Sequence, residues 1–160
     1  MKIELFERAV APDRDQEILD VLGHVAPSTF LLSLLQSTPD CVEVLSEDGR
    51  LKFVNQNGLD ELMGGSLEEV RDTIWSAYWP TAARPALEEA FELALGGRHI
   101  QCRASRPRED DVERMWQVQL SPILDGAGQI CGVLSLSRDV TANASHAPVR
   151  GSGEFTSDAG

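Results

Sequence analysis

The chain has 160 residues and a mass of 17.5 kDa, room for one ordinary domain rather than two. Its composition, 42% apolar and 25% charged, supports a core and excludes global disorder. Against 14 basic side chains stand 26 acidic ones, and the resulting net charge of −12 repels phosphate backbones and anionic headgroups, so neither nucleic acid nor a membrane is an expected partner.

Residues 1–12 carry no strong pattern, and Met1–Glu7 lacks the apolar core, roughly 7–15 residues long, of a secretion signal. Nowhere does an apolar run approach the length of about 18 residues needed to span a bilayer. Cys41, Cys102 and Cys131 are scattered singly, unlike a disulfide framework. A cytoplasmic protein with reduced thiols is expected. Asp13, three residues before Gln16, is a weak helix start, followed by Ile18, Leu19, Val21, Leu22 and Val25 at helical spacing. Pro27 interrupts, and Ser28 or Thr29 can cap a second helix bearing Phe30, Leu31, Leu32, Leu34 and Leu35. Both helices are more apolar than one face needs. They pack on the domain's own core, form a dimer interface through Ile18, Leu22, Leu31 and Leu35, or do both.

From Cys41 the period changes to two. Cys41–Ser46 alternates weakly, Glu47-Asp48-Gly49-Arg50 supplies a turn, and Leu51–Val54 follows as the second strand of a hairpin. Asn55 can cap a short helix through Leu59 and Leu62, and Ser66 with Glu69 makes a capping box for another. The Thr73–Pro80 segment is rich in aromatics. After it, Thr81–Leu95 reads as a helix with Ala83, Leu87, Ala90, Phe91 and Ala94 on one face, ended by Gly96-Gly97.

Three strands follow. Arg98–Ala104 is the first, and a charged loop, Ser105–Asp111, leads to the second, Val112–Ile123, with Trp116, Val118 and Leu120 on one face. Arg98, Arg103, Arg106 and Arg108 are candidates for a basic patch, but Glu109, Asp110 and Asp111 neutralise it. Asp125–Gly128 makes the next turn and Gln129–Arg138 the last strand. Beyond Thr141 the tail cannot bury enough surface to order itself, and its Gly151-Ser152-Gly153-Glu154-Phe155 resembles an expression remnant. The order predicts an α+β domain: a five-stranded antiparallel sheet with helices across one face, plus N-terminal helices. Its bounds are 28–141, with an N-terminal segment over 1–27 and a tail over 142–160.

This order, with several local signatures, resembles a PAS domain. Ser37-Thr38-Pro39-Asp40 matches the family's lead into its first strand, and Glu47–Asn55 its "D-x-x-G-x-I-x-x-V-N" hairpin and helix cap. The long helix ending at Gly96-Gly97, then Leu120–Ile123, Gly128, Gly132 and Ser137-Arg138-Asp139-Val140-Thr141, match its central helix, last strands and "D-I-T" terminator. The resemblance covers residues 28–141. It implies a sensory or protein-interaction module that holds a small ligand between sheet and central helix, or dimerises through the outer sheet face and N-terminal helix. The cavity it implies would draw on Val42, Val44, Trp75, Trp79, Phe91, Leu95, Trp116 and Leu134. Arg138, Asp139 and Thr141 would carry the output signal or simply terminate the strand.

Specific chemistries find little support. Flavin–thiol photochemistry needs a cysteine in an Asn-Cys-Arg-Phe-type helix, and none of the three cysteines lies in a predicted helix. Haem sensing needs an inward histidine on the central helix; Thr81–Leu95 has none, His99 reads as outward and solvated, and His24 and His146 are poorly placed. His99 and Cys102, three apart on a strand, face opposite ways and cannot chelate together, so no metal site is expected. Trp75, Tyr78 and Trp79 either stack on a planar ligand or plug the gap between helix and sheet. No catalytic motif is present, and Glu88, Glu89 and Glu92 read as a solvated face. No reactive group is expected at the centre.

The expected function is therefore non-catalytic: a homodimeric signalling adaptor regulating histidine kinases or similar proteins. The alternative is a flavin, haem or metabolite sensor excised from a histidine kinase or cyclic-dinucleotide enzyme.

Overall fold

A computed structural model of the chain describes residues 26–107 and 112–144. The first helix, α1 (Pro27–Ser37), starts earlier than the Ser28 or Thr29 cap predicts. Pro27 is its first helical residue, where the missing N–H would have had no partner, and Ala26 stands at the N-cap without a side-chain bond. The helix expected over 13–25, with Ile18, Leu22 and His24, lies outside the described residues, as do Arg108–Asp111, His146 and the tail from Ser145.

The hairpin forms as expected from β1 (Cys41–Leu45) and β2 (Leu51–Val54). Its turn closes through Ser46 N–H to the Arg50 carbonyl at 2.9 Å, with Gly49 at φ 75°. Such a positive φ is open to glycine at no steric cost. Asn55 then does more than cap α2 (Gln56–Gly58). Its Oδ1 accepts from Gly58 N–H and from Val42 N–H, both at 3.0 Å, while Nδ2 donates to the Asp40 carbonyl at 3.0 Å. One buried amide thus joins helix start, strand and the lead-in to the strand. A π-helical turn, Leu59–Met63, follows α2, and α3 (Leu67–Val70) carries the predicted capping box between Ser66 and Glu69. Residues Asp72–Ile74 return along the outer edge of β2, so that edge is covered.

A 3₁₀ turn, Trp75–Tyr78, leads to the central helix α4 (Arg84–Leu95). This helix starts three residues later than the apolar spacing predicts, because Thr81–Ala83 close a turn on the Pro80 carbonyl and Pro85 fits only the first helical turn. Leu87, Ala90, Phe91 and Ala94 are its buried face, packed over β3 (Ile100–Pro107), β4 (Glu113–Leu124) and β5 (Ile130–Asp139). The five strands order as β2-β1-β5-β4-β3, each pair antiparallel. A short helix, α5 (Thr141–Ala144), follows β5, where the sequence predicts an unstructured tail. The first and last strands are therefore central neighbours, paired from Cys41–Ser137 to Leu45–Val133.

The inward face of the sheet is set by parity. Cys41, Glu43 and Leu45 on β1 are essentially solvent-free, as are Val133, Ser135 and Ser137 on β5. Trp116, Val118 and Leu120 on β4, and Ile100, Cys102 and Ala104 on β3, complete the layer beneath α4. The expected alternation of β4 is present as read.

Candidate functional site

Val42, Val44 and Leu134, expected to line the interior, do not reach it. The pleat sends them to the outer face, where Val44 lies opposite Leu134 in the ladder and Val42 opposite Leu136. None of the three belongs to the core cluster under the helices. Their positions are taken on the inner side by Glu43 and Ser135, so a reactive group does stand at the centre of the domain.

Glu43 has 0% of its surface exposed. Its Oε2 accepts a hydrogen bond from Trp75 Nε1 at 3.2 Å, and its Oε1 has no hydrogen-bond partner. Burial pushes its carboxyl up to about 7, against the opposing pull of the Ser135 hydroxyl, the Trp75 N–H and the Arg106 charge. Ser135 is directly across the ladder from Glu43, yet its hydroxyl is outside good hydrogen-bond geometry. Ser137 Oγ, Trp116 Nε1 and Arg106 Nη1 are likewise buried without partners. Native interiors satisfy nearly all such groups, so five in one layer is a marked concentration.

Arg106 extends from the end of β3 over the ring of Trp79, with its guanidinium carbon 5.8 Å from the ring centroid, and its Nη2 donates to the Leu62 carbonyl. Burial lowers its pKa, opposed chiefly by the nearby Glu43 carboxylate. Trp75 and Trp79 meet edge to face, 6.4 Å between centroids at 66°. Trp75, Trp79, Phe91 and Trp116 are buried in the core, and Leu95 packs against it half-buried. Tyr78 instead bonds Thr73 Oγ1 through its hydroxyl at 2.9 Å.

Beside this interior lies a cleft of about 280 Å³ between the hairpin turn, the 3₁₀ turn and α4. Trp75 and Phe91 form part of its wall, and Glu47, Asp48, Glu88 and Glu92 supply four carboxylates. Glu88 is more than a solvated face, for it accepts from the buried Ser76 Oγ at 2.9 Å. Trp75 lines the cleft and also bonds Glu43, so the indole stands between the cleft and the buried carboxyl.

His99 turns outward, but it is half-buried and its Nδ1 lies 3.0 Å from Ser121 Oγ, so it is not freely solvated. Cys102 faces the core, so the two cannot share an ion. Burial pushes the Cys41 thiol up to about 12 and the Cys102 thiol to about 11, while Cys131 is exposed. On α1, Leu31 is 53% exposed and Leu35 half-buried. At the exit, Arg138 grips Asp40 with Nε–Oδ1 at 2.6 Å and Nη2–Oδ2 at 2.8 Å. Asp139 Oδ1 accepts from Thr141 N–H at 2.9 Å, and Thr141 Oγ1 accepts from Met115 N–H at 3.0 Å.

The family profile described as PAS fold matches residues 35–145. Among solved structures, the PAS domain of a protein from Colwellia psychrerythraea is similar at TM-score 0.62 and 16% identity, with 73% of this chain and 99% of that one covered. An RNA-binding light-oxygen-voltage receptor is similar at TM-score 0.66 and 18% identity, covering 89% of this chain and 40% of that one. The Vibrio cholera VqmA–ligand–DNA complex is similar at TM-score 0.62 and 16% identity, covering 74% of this chain and 53% of that one. No curated protein matches the chain.

Proposed function

Because this chain belongs to the PAS fold family, we propose that it is a cytoplasmic signalling module that works as a homodimer and passes its signal by protein contact, without catalysis of its own. The observation that carries this reading is α1. Phe30, Leu31, Leu32 and Leu34 are 42%, 53%, 58% and 51% exposed, and no residue of the helix is buried. Large apolar side chains exposed together mark a surface that something else covers.

A second copy is the occupant that charge favours. The helix PSTFLLSLLQS has no ionised side chain, in a chain of net charge −12. Two copies meeting there avoid the like-charge repulsion they would meet elsewhere. Leu31 and Leu35 would belong to this interface, with Ile18 and Leu22 extending it. Light scattering tests it: wild type should be dimeric at high micromolar concentration, and the Leu31→Glu, Leu35→Glu double variant monomeric with unchanged circular dichroism. A monomeric wild type overturns the reading, as does a variant that unfolds, which would assign these leucines to the core.

The bounds 28–141 are proposed for the module, with Arg138, Asp139 and Thr141 as its output. Histidine kinases or comparable regulators remain the proposed partners. Net charge alone does not exclude nucleic acid as a partner, since two of the similar proteins are an RNA-binding receptor and a DNA complex.

A second reading, a sensor that holds a small molecule inside, is favoured by the unpartnered oxygen of Glu43 and the orphaned polar groups around it. The two readings are compatible, with the interior as input and the helix as output.

A further inference from the structure

The orphaned polar atoms of the interior sort by chemistry. Glu43 Oε1 as a carboxylate only accepts, Trp116 Nε1 and Arg106 Nη1 only donate, and the hydroxyls of Ser135 and Ser137 do either. Glu43 and Arg106 carry opposite charges and feel each other electrostatically, yet these atoms are not joined. Glu43 uses its other oxygen on Trp75, and Arg106 its other nitrogen on the Leu62 carbonyl. Each charged side chain is thus half used, Glu43 on β1 and Arg106 on the edge strand β3, with β5 and β4 between them. Between them on the inner face lie Ser135 and Ser137 on β5, Trp116 and Val118 on β4, and Cys102 and Ala104 on β3.

We propose that this interior binds a small ampholyte of amino-acid size, its ammonium end at Glu43 and Ser135 and its carboxylate end at Arg106 and Trp116. This rests on the small-molecule reading above and names the guest's chemistry. A guest with both ends matches both halves: N–H donors meet the acceptor-only carboxylate, and oxygen acceptors meet the donor-only indole and guanidinium. A simple cation leaves Arg106 unmatched, and a simple anion leaves Glu43 unmatched. The approach is through the cleft, whose four carboxylates attract the ammonium end first, with the Trp75 indole as the partition to be moved.

The test uses the full chain with glycine, β-alanine and γ-aminobutyrate as probes of increasing charge separation, and ethylamine and acetate as single-ended controls. All three tryptophans of the chain lie in this core, so intrinsic emission reports occupancy alongside melting temperature. At least one ampholyte should raise Tm by roughly 5 °C at a concentration 100-fold above its Kd and shift the emission, where neither control does. Its affinity should fall on the order of 30-fold or more in Glu43→Gln and in Arg106→Gln; Ser135→Ala, which should weaken binding less, serves if either of these does not fold. Equal action by ethylamine, or affinities unchanged in the variants, overturns the proposal. Mass spectrometry of the purified protein separates the two levels. A retained molecule lacking paired opposite charges overturns the ampholyte while sustaining the small-molecule reading. No retained molecule and no response to any of the five probes removes both.

Discussion

A carboxyl group without solvent contact titrates against its own burial, and in Glu43 that makes stability depend on pH. Its folded value of about 7 lies above the ordinary 4.5, because the charged form loses hydration. The folded state therefore binds the proton more tightly than the unfolded chain. The contribution is most favourable below pH 4.5, falls as pH rises towards 7, and levels off above it, a swing of about 3 kcal/mol. The Glu43→Gln variant should lack this part of the profile, so urea midpoints should show it gaining on wild type between pH 5 and pH 8. A constant difference across that range would contradict the assignment. Glu43 was legible only as one letter in a weak alternation. Its parity with Cys41 and Leu45 was the available signal, but Val42 and Val44 are the more apolar pair and drew the inward reading. That reading fails because β1 is a central strand whose outer face is also largely covered: Val42 is only 7% exposed there. With both faces apolar, parity stops telling inside from outside.

At the scale of elements, what was legible follows local chemistry. The Asn55 cap, the Ser66–Glu69 capping box, the hairpin turn and the Gly96-Gly97 stop all form where the residues place them. Start points set by proline were less legible, and both helices with a proline in the first turn begin away from the predicted residue. Invisible from sequence was the clamp between elements, since Arg138 and Asp40 are 98 positions apart. This bidentate pair ties the end of β5 to the link between α1 and β1. Arg138 is 59% exposed, so the pair should add less than about 1 kcal/mol to global stability. Its effect should be local. In Arg138→Ala, hydrogen exchange of α1 amides should quicken relative to wild type while the core strands keep their protection. Unchanged exchange in α1 would show that exit and entry are not coupled through this contact.

For the molecule as a whole, the order of elements was enough to read the architecture and its family, because hairpin, long helix and three strands leave few ways to close one sheet. The interior chemistry was not readable at that level, since it arises from side chains of β1, β5, β4 and β3 that meet only once the strands are ordered β2-β1-β5-β4-β3. That ordering also has a mechanical result. The chain enters beside the place where it leaves, with Cys41 opposite Ser137 at one end of the central ladder. Tension applied between Asp40 and Val140 therefore loads this ladder from a single end and parts it rung by rung, starting at the Arg138–Asp40 grip. Tension between Glu47 and Val140 loads the same rungs together, in shear. Single-molecule stretching should find the first geometry yielding at clearly lower force than the second. A domain strung by its natural flanks is then a weak link under load, one that opens first where its two ends meet.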